Sequence, residues 1–205
     1  IKYLNPKILV LGYDFQFGSD RSGDLHLLEK ICAEHNISLV IIPPQKQNDE
    51  KISSSQVREW VLRGEVDKVQ EILLRPFYLK GIVISGETRG QKELVRTANL
   101  KTKTKTKTFP KKGVYISQVL WKGQSYPSVT NVGFNPTFES SNGKDAILKI
   151  ETHLLDVSLD LYDQEIKVEF LKFIREEQKF ESSQKLKEQI LKDISIARSY
   201  FEKKI

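Results

Sequence analysis

Three separated segments of the sequence carry the groups that phosphoryl transfer from a nucleotide would need. They read Gly-Ile-Val-Ile-Ser-Gly-Glu-Thr-Arg-Gly over residues 81–90, Thr-Ala-Asn-Leu over 97–100 and Glu-Thr-His-Leu-Leu-Asp over 151–156. Glycines let backbone amides approach phosphate oxygens, while a Thr hydroxyl and an Asn amide can orient a metal-bound phosphate. A carboxylate can accept the proton of an attacking alcohol. Together the segments predict the handling of a nucleoside triphosphate.

The elements that must position these groups are strands in the second half of the sequence. Strand-like apolar runs cover residues 79–85, 114–121, 126–132, 148–155 and 166–173. Lys122-Gly123 marks a hairpin between two of the runs. From Ser183 onward apolar residues recur at helical spacing. We therefore predict a small antiparallel barrel that includes these five strands, with a C-terminal amphipathic helix packed against it.

The first half of the sequence has an α/β pattern. Residues 8–11 and 38–42 are β-prone, and Asp24 can cap a helix over residues 25–34 between them. A helix ending at Gly64 and a shorter one from Val66 to Leu74 are expected to follow. Arg75-Pro76 is the predicted domain boundary.

Composition narrows the class of protein. The 205 residues include 39% hydrophobic residues, enough for a folded core, and one cysteine, Cys32, which excludes an internal disulfide. The sequence has no long apolar run or signal-like start, so cytoplasmic residence is the default expectation. The net charge of +6 reflects lysines crowded into residues 101–112. We interpret residues 101–108 as a solvated loop, the alternative being a nucleic-acid-binding arm.

Further motifs, in their order, carry a resemblance to a known family. They are Gly113-Val-Tyr115, Asn-Val-Gly-Phe-Asn-Pro-Thr-Phe over 131–138, Asp160-Leu-Tyr162 and Arg-Glu-Glu-Gln-Lys-Phe over 175–180. With the three segments above, they resemble the riboflavin kinase module of bacterial bifunctional riboflavin kinase/FAD synthetases. Residues 12–18 and 52–58 resemble the back half of the FMN adenylyltransferase domain of the same enzymes.

The resemblance implies a fold and a domain division. It implies an α/β nucleotidyltransferase-like (Rossmann-like) portion over residues 1–76, the C-terminal part of the FMN adenylyltransferase domain. A small antiparallel β-barrel with a C-terminal α-helix, the riboflavin kinase domain, would follow over residues 77–205. In this family the barrel has six strands. The implied activity is transfer of the ATP γ-phosphate to the riboflavin 5'-hydroxyl to give FMN, with adenylylation of FMN to FAD in the complete protein.

The resemblance also assigns roles to residues. Glu151 would be the catalytic base, and Thr97 and Asn99 would bind phosphates and the Mg²⁺ cofactor. The other positions implied for ATP and its phosphates are Gly81, Gly86, Arg89, Gly90, Ser53, Ser54, Ser55 and Arg58. The positions implied for the flavin are Asp14, Phe15, Phe17, Arg175 and Phe180. The expected partners are the small molecules riboflavin, FMN and ATP, without nucleic acid or membrane, and the oligomeric state is not predicted.

Each assignment has an ordinary structural alternative. Glu151 could be an exposed or ion-paired strand residue, and Thr97 and Asn99 could form a polar turn. The glycines could be hairpin or bulge residues, and the serines could form a helix N-cap. Where the family has Leu-Gly-Phe-Pro before the Thr, residues 93–96 read Glu-Leu-Val-Arg, and Asp163 stands where the family usually has Gly. A rival hypothesis is therefore a flavin- or nucleotide-binding regulatory homologue that has lost catalysis.

Two further expectations concern completeness and histidine. The resembling enzymes carry an upstream Gly-x-Phe-Asp-Gly-x-His-x-Gly-His type segment that these residues lack. We expect the sequence to be part of a longer protein, and FAD formation only where that region is present. His26, His35 and His153 show no zinc-ligand spacing, and we interpret all three as structural or surface residues.

Overall fold

A computed structural model describes residues 4–44, 46–47, 50–85, 96–102, 108–135 and 147–203. By packing, the chain forms two compact units, Ile1–Ser53 and Ser54–Ile205.

The first unit is built on a β-α-β arrangement. Strand β1 (Ile8–Gly12) pairs in parallel with β2 (Ser38–Ile42), and helix α1 (Leu25–Glu34) connects them. The Asp24 carboxylate accepts from the Leu27 amide at 2.9 Å and so caps α1. The limits predicted for α1 and β2 are confirmed, and β1 extends one residue beyond the predicted range of 8–11. Two short strands, β3 (Lys46–Gln47) and β4 (Glu50–Lys51), form an antiparallel pair after β2.

The second unit contains a closed antiparallel barrel of six strands. In chain order they are β5 (Phe77–Ile84), β6 (Ala98–Thr102), β7 (Gly113–Trp121), β8 (Gln124–Asn135), β9 (Ile147–Leu154) and β10 (Glu165–Arg175). Around the barrel the order is β10-β5-β6-β9-β8-β7. Because the barrel is closed, each of its strands pairs on both sides and the sheet has no unpaired edge.

The six strands that the resemblance implies are confirmed, and β6 is the one that the apolar pattern, with its five strands, does not predict. Its sequence, Ala-Asn-Leu-Lys-Thr, has only Ala98 and Leu100 as apolar positions, and Leu100 is buried in the barrel core. Lys101 and Thr102, predicted as part of a solvated loop, pair with Ile82 and Gly81 of β5. The period-two alternation is present, but it is too short to stand out because only Ala98 and Leu100 supply apolar positions. Thr108 lies outside any strand, and residues 103–107 lie outside the described residues.

Helices cover the barrel in two places. Helices α2 (Ser54–Arg63) and α3 (Val66–Leu73) contribute Val61, Val66 and Val69 to the same core as Tyr115 and Phe170. Residues 54–73 thus pack with the barrel, whereas the predicted sequence boundary is Arg75-Pro76. As a domain assignment that boundary stays a prediction.

The C-terminal helix lies on the outer face of the barrel. Helix α4 (Ser183–Glu202) is capped by Ser182, whose hydroxyl accepts from the Lys185 amide at 3.3 Å. Ile194 and Ala197 of α4 pack against Ile116 of β7 and Leu171 of β10. The predicted amphipathic helix against the barrel is confirmed. None of the helices in the described ranges has the length and apolar character that a bilayer crossing requires.

Candidate functional site

Glu151 lies between two asparagines on the outer surface of the barrel. It pairs across the ladder with Asn99 of β6 on one side and with Asn131 of β8 on the other. The neighbours of Glu151 in β9, Ile150 and Thr152, are buried in the barrel interior. Because successive strand residues point to opposite faces, Glu151 points outward. Its side chain retains 27% exposure.

A lysine on the same face of β9 pairs with the Glu151 carboxylate. Lys149 Nζ lies 2.9 Å from Glu151 Oε1. On the opposite side, the Asn131 amide donates to Glu177 Oε1 at 3.3 Å, so a second carboxylate borders this surface. The site is therefore a row of amides and carboxylates with one ammonium group, partly open to solvent.

Thr97 lies in a cavity of about 700 Å³ next to this row. Arg96, Thr97 and Ala98 at the start of β6 line it, together with His153 and Leu154 at the end of β9. The remaining lining residues are Val83 and residues 157–162. Asn99 and Glu151 are not among the lining residues. The structure thus sets Asn99 against Glu151, and places Thr97 two residues before Asn99 in an adjoining cavity.

His153, which the sequence indicates as a structural or surface residue, lines this cavity. Its Nδ1 lies 2.8 Å from the carbonyl oxygen of Arg96. The Arg96 guanidinium donates through Nη1 to Ser158 Oγ at 2.7 Å. The available sequence signal was the spacing of His153 two residues after Glu151, which puts both on one face of a strand.

Of the glycines predicted to approach phosphate, only Gly81 lies in the described residues; Gly86, Arg89 and Gly90 lie outside them. Gly81 is buried in β5, and a Cβ built on it would lie 2.4 Å from the Lys101 carbonyl oxygen and 3.0 Å from Leu100 Cδ1. The close approach of β5 and β6 accounts for glycine at this position. Its role toward ATP stays a prediction.

Arg175, predicted to meet the flavin, makes a bidentate ion pair with Asp193 of α4. Nε lies 3.1 Å from both carboxylate oxygens and Nη2 lies 2.7 Å from Oδ2. The Phe180 ring centroid is 5.9 Å from the guanidinium carbon, within cation–π range. The structure brings Arg175 and Phe180 together and anchors Arg175 to the C-terminal helix; flavin contact by either stays a prediction.

The residues predicted for adenylyl transfer fall in both compact units. Asp14, Phe15 and Phe17 follow β1 in the first unit, where the two Phe rings stack at 6.0 Å between centroids. Ser53 ends the first unit, and Ser54, Ser55 and Arg58 lie in α2 of the second. The predicted placement of serines at a helix N-terminus is confirmed, but their role toward ATP stays a prediction.

Two titratable groups near the junction of β7 and β10 depart from their ordinary behaviour. Burial raises the pKa of Tyr115, whose hydroxyl donates to the Lys111 carbonyl at 2.5 Å. A hydrogen bond from Lys111 Nζ to Glu176 Oε1, at 2.6 Å, lowers the pKa of the Glu176 carboxyl. Lys111 therefore links the segment before β7 to the segment after β10.

The metal-binding prediction rests on oxygen donors. Mg²⁺ prefers hard oxygen ligands and usually keeps several waters alongside one or two protein ligands and substrate phosphates. The Thr97 hydroxyl and the Asn99 side chain supply such donors, with the Glu151 carboxylate opposite Asn99. Among the described residues no three His, Cys, Asp or Glu side chains gather into an all-protein metal cluster. Oxygen donors of the kind that Mg²⁺ prefers are thus present on Thr97 and Asn99, and their role toward the ion stays a prediction.

Comparison with known proteins bears on both units. The riboflavin kinase family model matches residues 73–201, and the FAD synthetase family model matches residues 1–56. A crystal structure described as a macrolide-efflux protein from Streptococcus pneumoniae is similar over 94% of this chain and 60% of that one. The TM-score is 0.81 and the sequence identity 31%.

Curated relatives agree with the family models. Bifunctional riboflavin kinase/FMN adenylyltransferases from Buchnera aphidicola subsp. Schizaphis graminum and Escherichia coli are 37% and 35% identical to this chain, each over 98% of it. The enzyme of that name from Bacillus subtilis is 33% identical over 97% of the chain. The chain spans 64%, 62% and 61% of the lengths of these three relatives. Because the riboflavin kinase model covers more than half of its residues, the chain belongs to the riboflavin kinase family.

Proposed function

We propose that the barrel unit catalyses transfer of the ATP γ-phosphate to the 5'-hydroxyl of riboflavin, giving FMN and ADP. The observation that carries the proposal is the pairing of Glu151 with Asn99, on the strand that Thr97 precedes, within the region matched by the riboflavin kinase family. A potential base and an amide thus stand opposite each other on two neighbouring strands, and the hydroxyl lies two residues before the amide, in the adjoining cavity of about 700 Å³.

Glu151 is the proposed general base. As the riboflavin oxygen forms its bond to the γ-phosphorus and the bond from that phosphorus to the β-phosphate bridging oxygen breaks, the hydroxyl proton passes to the carboxylate. Lys149 already pairs with Oε1, so we assign Oε2 as the accepting oxygen. General base catalysis contributes roughly 10²–10⁴-fold to such reactions.

Thr97 and Asn99 are the proposed phosphate and Mg²⁺ ligands. Bound Mg²⁺ neutralises charge that builds up on the transferring phosphoryl group. The two residues would hold the ion and the phosphates in place. Ladder pairing on β6 fixes Asn99, and Thr97 lies one residue before that ladder begins. Arg96, where the family has proline, lines the cavity beside Thr97 and adds a positive charge there.

The test compares wild type with Glu151→Gln in the presence of riboflavin, ATP and Mg²⁺, with FMN resolved by chromatography. The variant keeps the shape of the side chain but cannot accept the proton, so FMN formation should fall about 10²–10⁴-fold with riboflavin binding retained. Glu165→Gln, a carboxylate on β10 of the same barrel, is the matched control. Wild-type turnover by Glu151→Gln would exclude it as the base, and absence of FMN with wild type would favour the non-catalytic binding homologue.

We further propose that the α/β unit contributes to FMN adenylylation in the complete protein. The FAD synthetase match over residues 1–56 and the observed β-α-β arrangement support a nucleotidyltransferase-like (Rossmann-like) portion. In this proposal Asp14, Phe15 and Phe17 serve the flavin side, and the segment from Ser53 to Arg58 serves ATP. The FMN adenylyltransferase portion would span residues 1–76, and the riboflavin kinase domain would span residues 77–205. The corresponding test measures FAD and FMN formation by the full-length protein and by its Arg58→Ala variant. The variant should lose FAD formation and retain FMN formation.

A further inference from the structure

The peptide group between Arg96 and Thr97 is held by the side chain of His153, to which the proposed reaction gives no role. His153 Nδ1 lies 2.8 Å from the Arg96 carbonyl oxygen. Further along the same residue, Nη1 of the guanidinium donates to Ser158 Oγ at 2.7 Å. All four residues line the same cavity of about 700 Å³. The segment leading into β6 is thus tied at its backbone and at its side chain.

The contact fixes which nitrogen of the His153 ring carries a proton. A carbonyl oxygen can only accept, so Nδ1 must be the donor. Because the peptide group is planar, holding the Arg96 carbonyl also sets the direction of the Thr97 N–H and the point from which the Thr97 side chain departs. The ladder between β6 and β9 begins at the pair of Ala98 with Thr152, one residue after Thr97. The strand pairing alone therefore does not fix Thr97.

We propose that His153 is a positioning residue for phosphoryl transfer, holding the Arg96 carbonyl through Nδ1–H and thereby setting the position of Thr97. The inference rests on the proposed function, because there Thr97 is a ligand of the phosphates and the metal ion. A displacement of about 1 Å in such a ligand can cost on the order of 10²-fold in rate. Both hydrogen bonds lie at exposed positions, and the Arg96 link to Ser158 plays a secondary part because it holds the guanidinium and not the carbonyl group.

Three substitutions at His153 separate positioning from a merely structural role. An Asn amide can place an N–H near the position of Nδ1, whereas a Gln amide reaches toward the position of Nε2. We expect His153→Ala and His153→Gln to lower kcat for FMN formation about 10- to 100-fold, with KM for riboflavin within about twofold of wild type. His153→Asn should keep at least about a third of the wild-type kcat. His26→Ala, on exposed helix surface, is the control and should match wild type.

A second readout does not depend on turnover. In ¹H–¹⁵N spectra the Thr97 amide resonance should shift in the Ala and Gln variants and stay near its wild-type position in the Asn variant. Wild-type kcat in His153→Ala, an unmoved Thr97 amide, or equal losses in the Asn and Gln variants would overturn the proposal. If His153→Ala does not fold, the comparison of kcat and of the Thr97 amide resonance between His153→Asn and His153→Gln tests the proposal. If wild type forms no FMN, the proposed function fails, and the Thr97 amide still tests whether His153 positions this segment.

Discussion

Asn99 on β6 and Glu151 on β9 stand directly opposite each other in an antiparallel ladder, although 51 residues lie between them in the sequence. Residues opposed in this way have Cβ atoms about 4.5–5.5 Å apart, so the amide and the carboxylate share one patch of surface. Barrel closure fixes the register, since a slip by one residue would turn Leu100 and Ile150 out of the core. The same forces that bury the interior thus hold the proposed base beside the proposed metal ligand.

Asn99→Ala tests the amide in this pair. The substitution removes an oxygen donor without adding charge, so we expect kcat for FMN formation to fall about 10- to 100-fold with little change in the unfolding free energy. Steady-state kinetics and urea unfolding measure the two quantities. Lys101→Ala, one step along the same outward face of β6, is the control and should keep near-wild-type kcat. Equal kcat in the two variants would show that Asn99 has no role in phosphoryl transfer.

Asp193→Asn tests the ion pair that fastens α4 to the end of β10. The Asp193 carboxylate is buried and Arg175 approaches it with both Nε and Nη2, so loss of its charge leaves a guanidinium without its counter-ion. We expect a loss of about 3 kcal/mol in unfolding free energy. Asp156→Asn disrupts the exposed pair with Arg198 and should cost less than about 1 kcal/mol. Equal losses in urea unfolding would show that burial of Asp193 adds nothing to the pair.

Tyr115→Phe tests a pH dependence with a defined sign. Burial raises the pKa of Tyr115 in the folded chain, whereas an unfolded tyrosine loses its proton near pH 10. Above that pH the unfolded chain binds fewer protons than the folded chain, so the unfolding free energy must fall as pH rises, by about 1.4 kcal/mol per pH unit from this group. The contribution is fully present below pH 10 and is lost as the pH rises toward the folded-state pKa.

The measurement is urea unfolding of wild type and Tyr115→Phe between pH 9 and pH 11. Other titrating groups act in both proteins, so the difference in slope isolates Tyr115. At pH 9 the variant should be less stable by about 1 kcal/mol, because the bond to the Lys111 carbonyl is lost. Tyr162→Phe, at an exposed tyrosine, is the control and should keep the wild-type slope. Parallel slopes for wild type and Tyr115→Phe would contradict the prediction.

The sequence predicted the helices and most strands because each has a local signal. Asp24 and Ser182 cap their helices through side-chain bonds that depend on residues three positions away. Lys122-Gly123 forms the predicted two-residue hairpin, and both residues have positive φ. In strand β6 the local signal is weak, since only Ala98 and Leu100 are apolar and its pairing partners are distant in sequence. Local patterns cannot report a strand that only barrel closure defines.

The site was predicted less completely for the same reason. Glu151, Thr97 and Asn99 were indicated by motifs, but the contact of His153 with the Arg96 carbonyl joins residues 57 positions apart. A backbone acceptor leaves no trace in the side-chain pattern, so His153 looked like an ordinary strand residue. The ion pair of Arg175 with Asp193 was missed likewise, because α4 was predicted from its apolar face and no local pattern sets Asp193 apart from the two other acids of that helix.

Gly81→Ala separates a structural from a ligand-binding reason for a glycine on β5. A methyl group there would lie 2.4 Å from the Lys101 carbonyl oxygen, and both strands are held by the closed barrel. Relief requires β5 and β6 to move apart, so we expect a loss of roughly 1–3 kcal/mol in unfolding free energy, typical of overpacking in a tight site. Lys80→Ala, at the neighbouring exposed position of β5, should change the unfolding free energy by less than about 0.5 kcal/mol. If Gly81→Ala is as stable as wild type while KM for ATP rises, the glycine is required for nucleotide approach and not for strand packing.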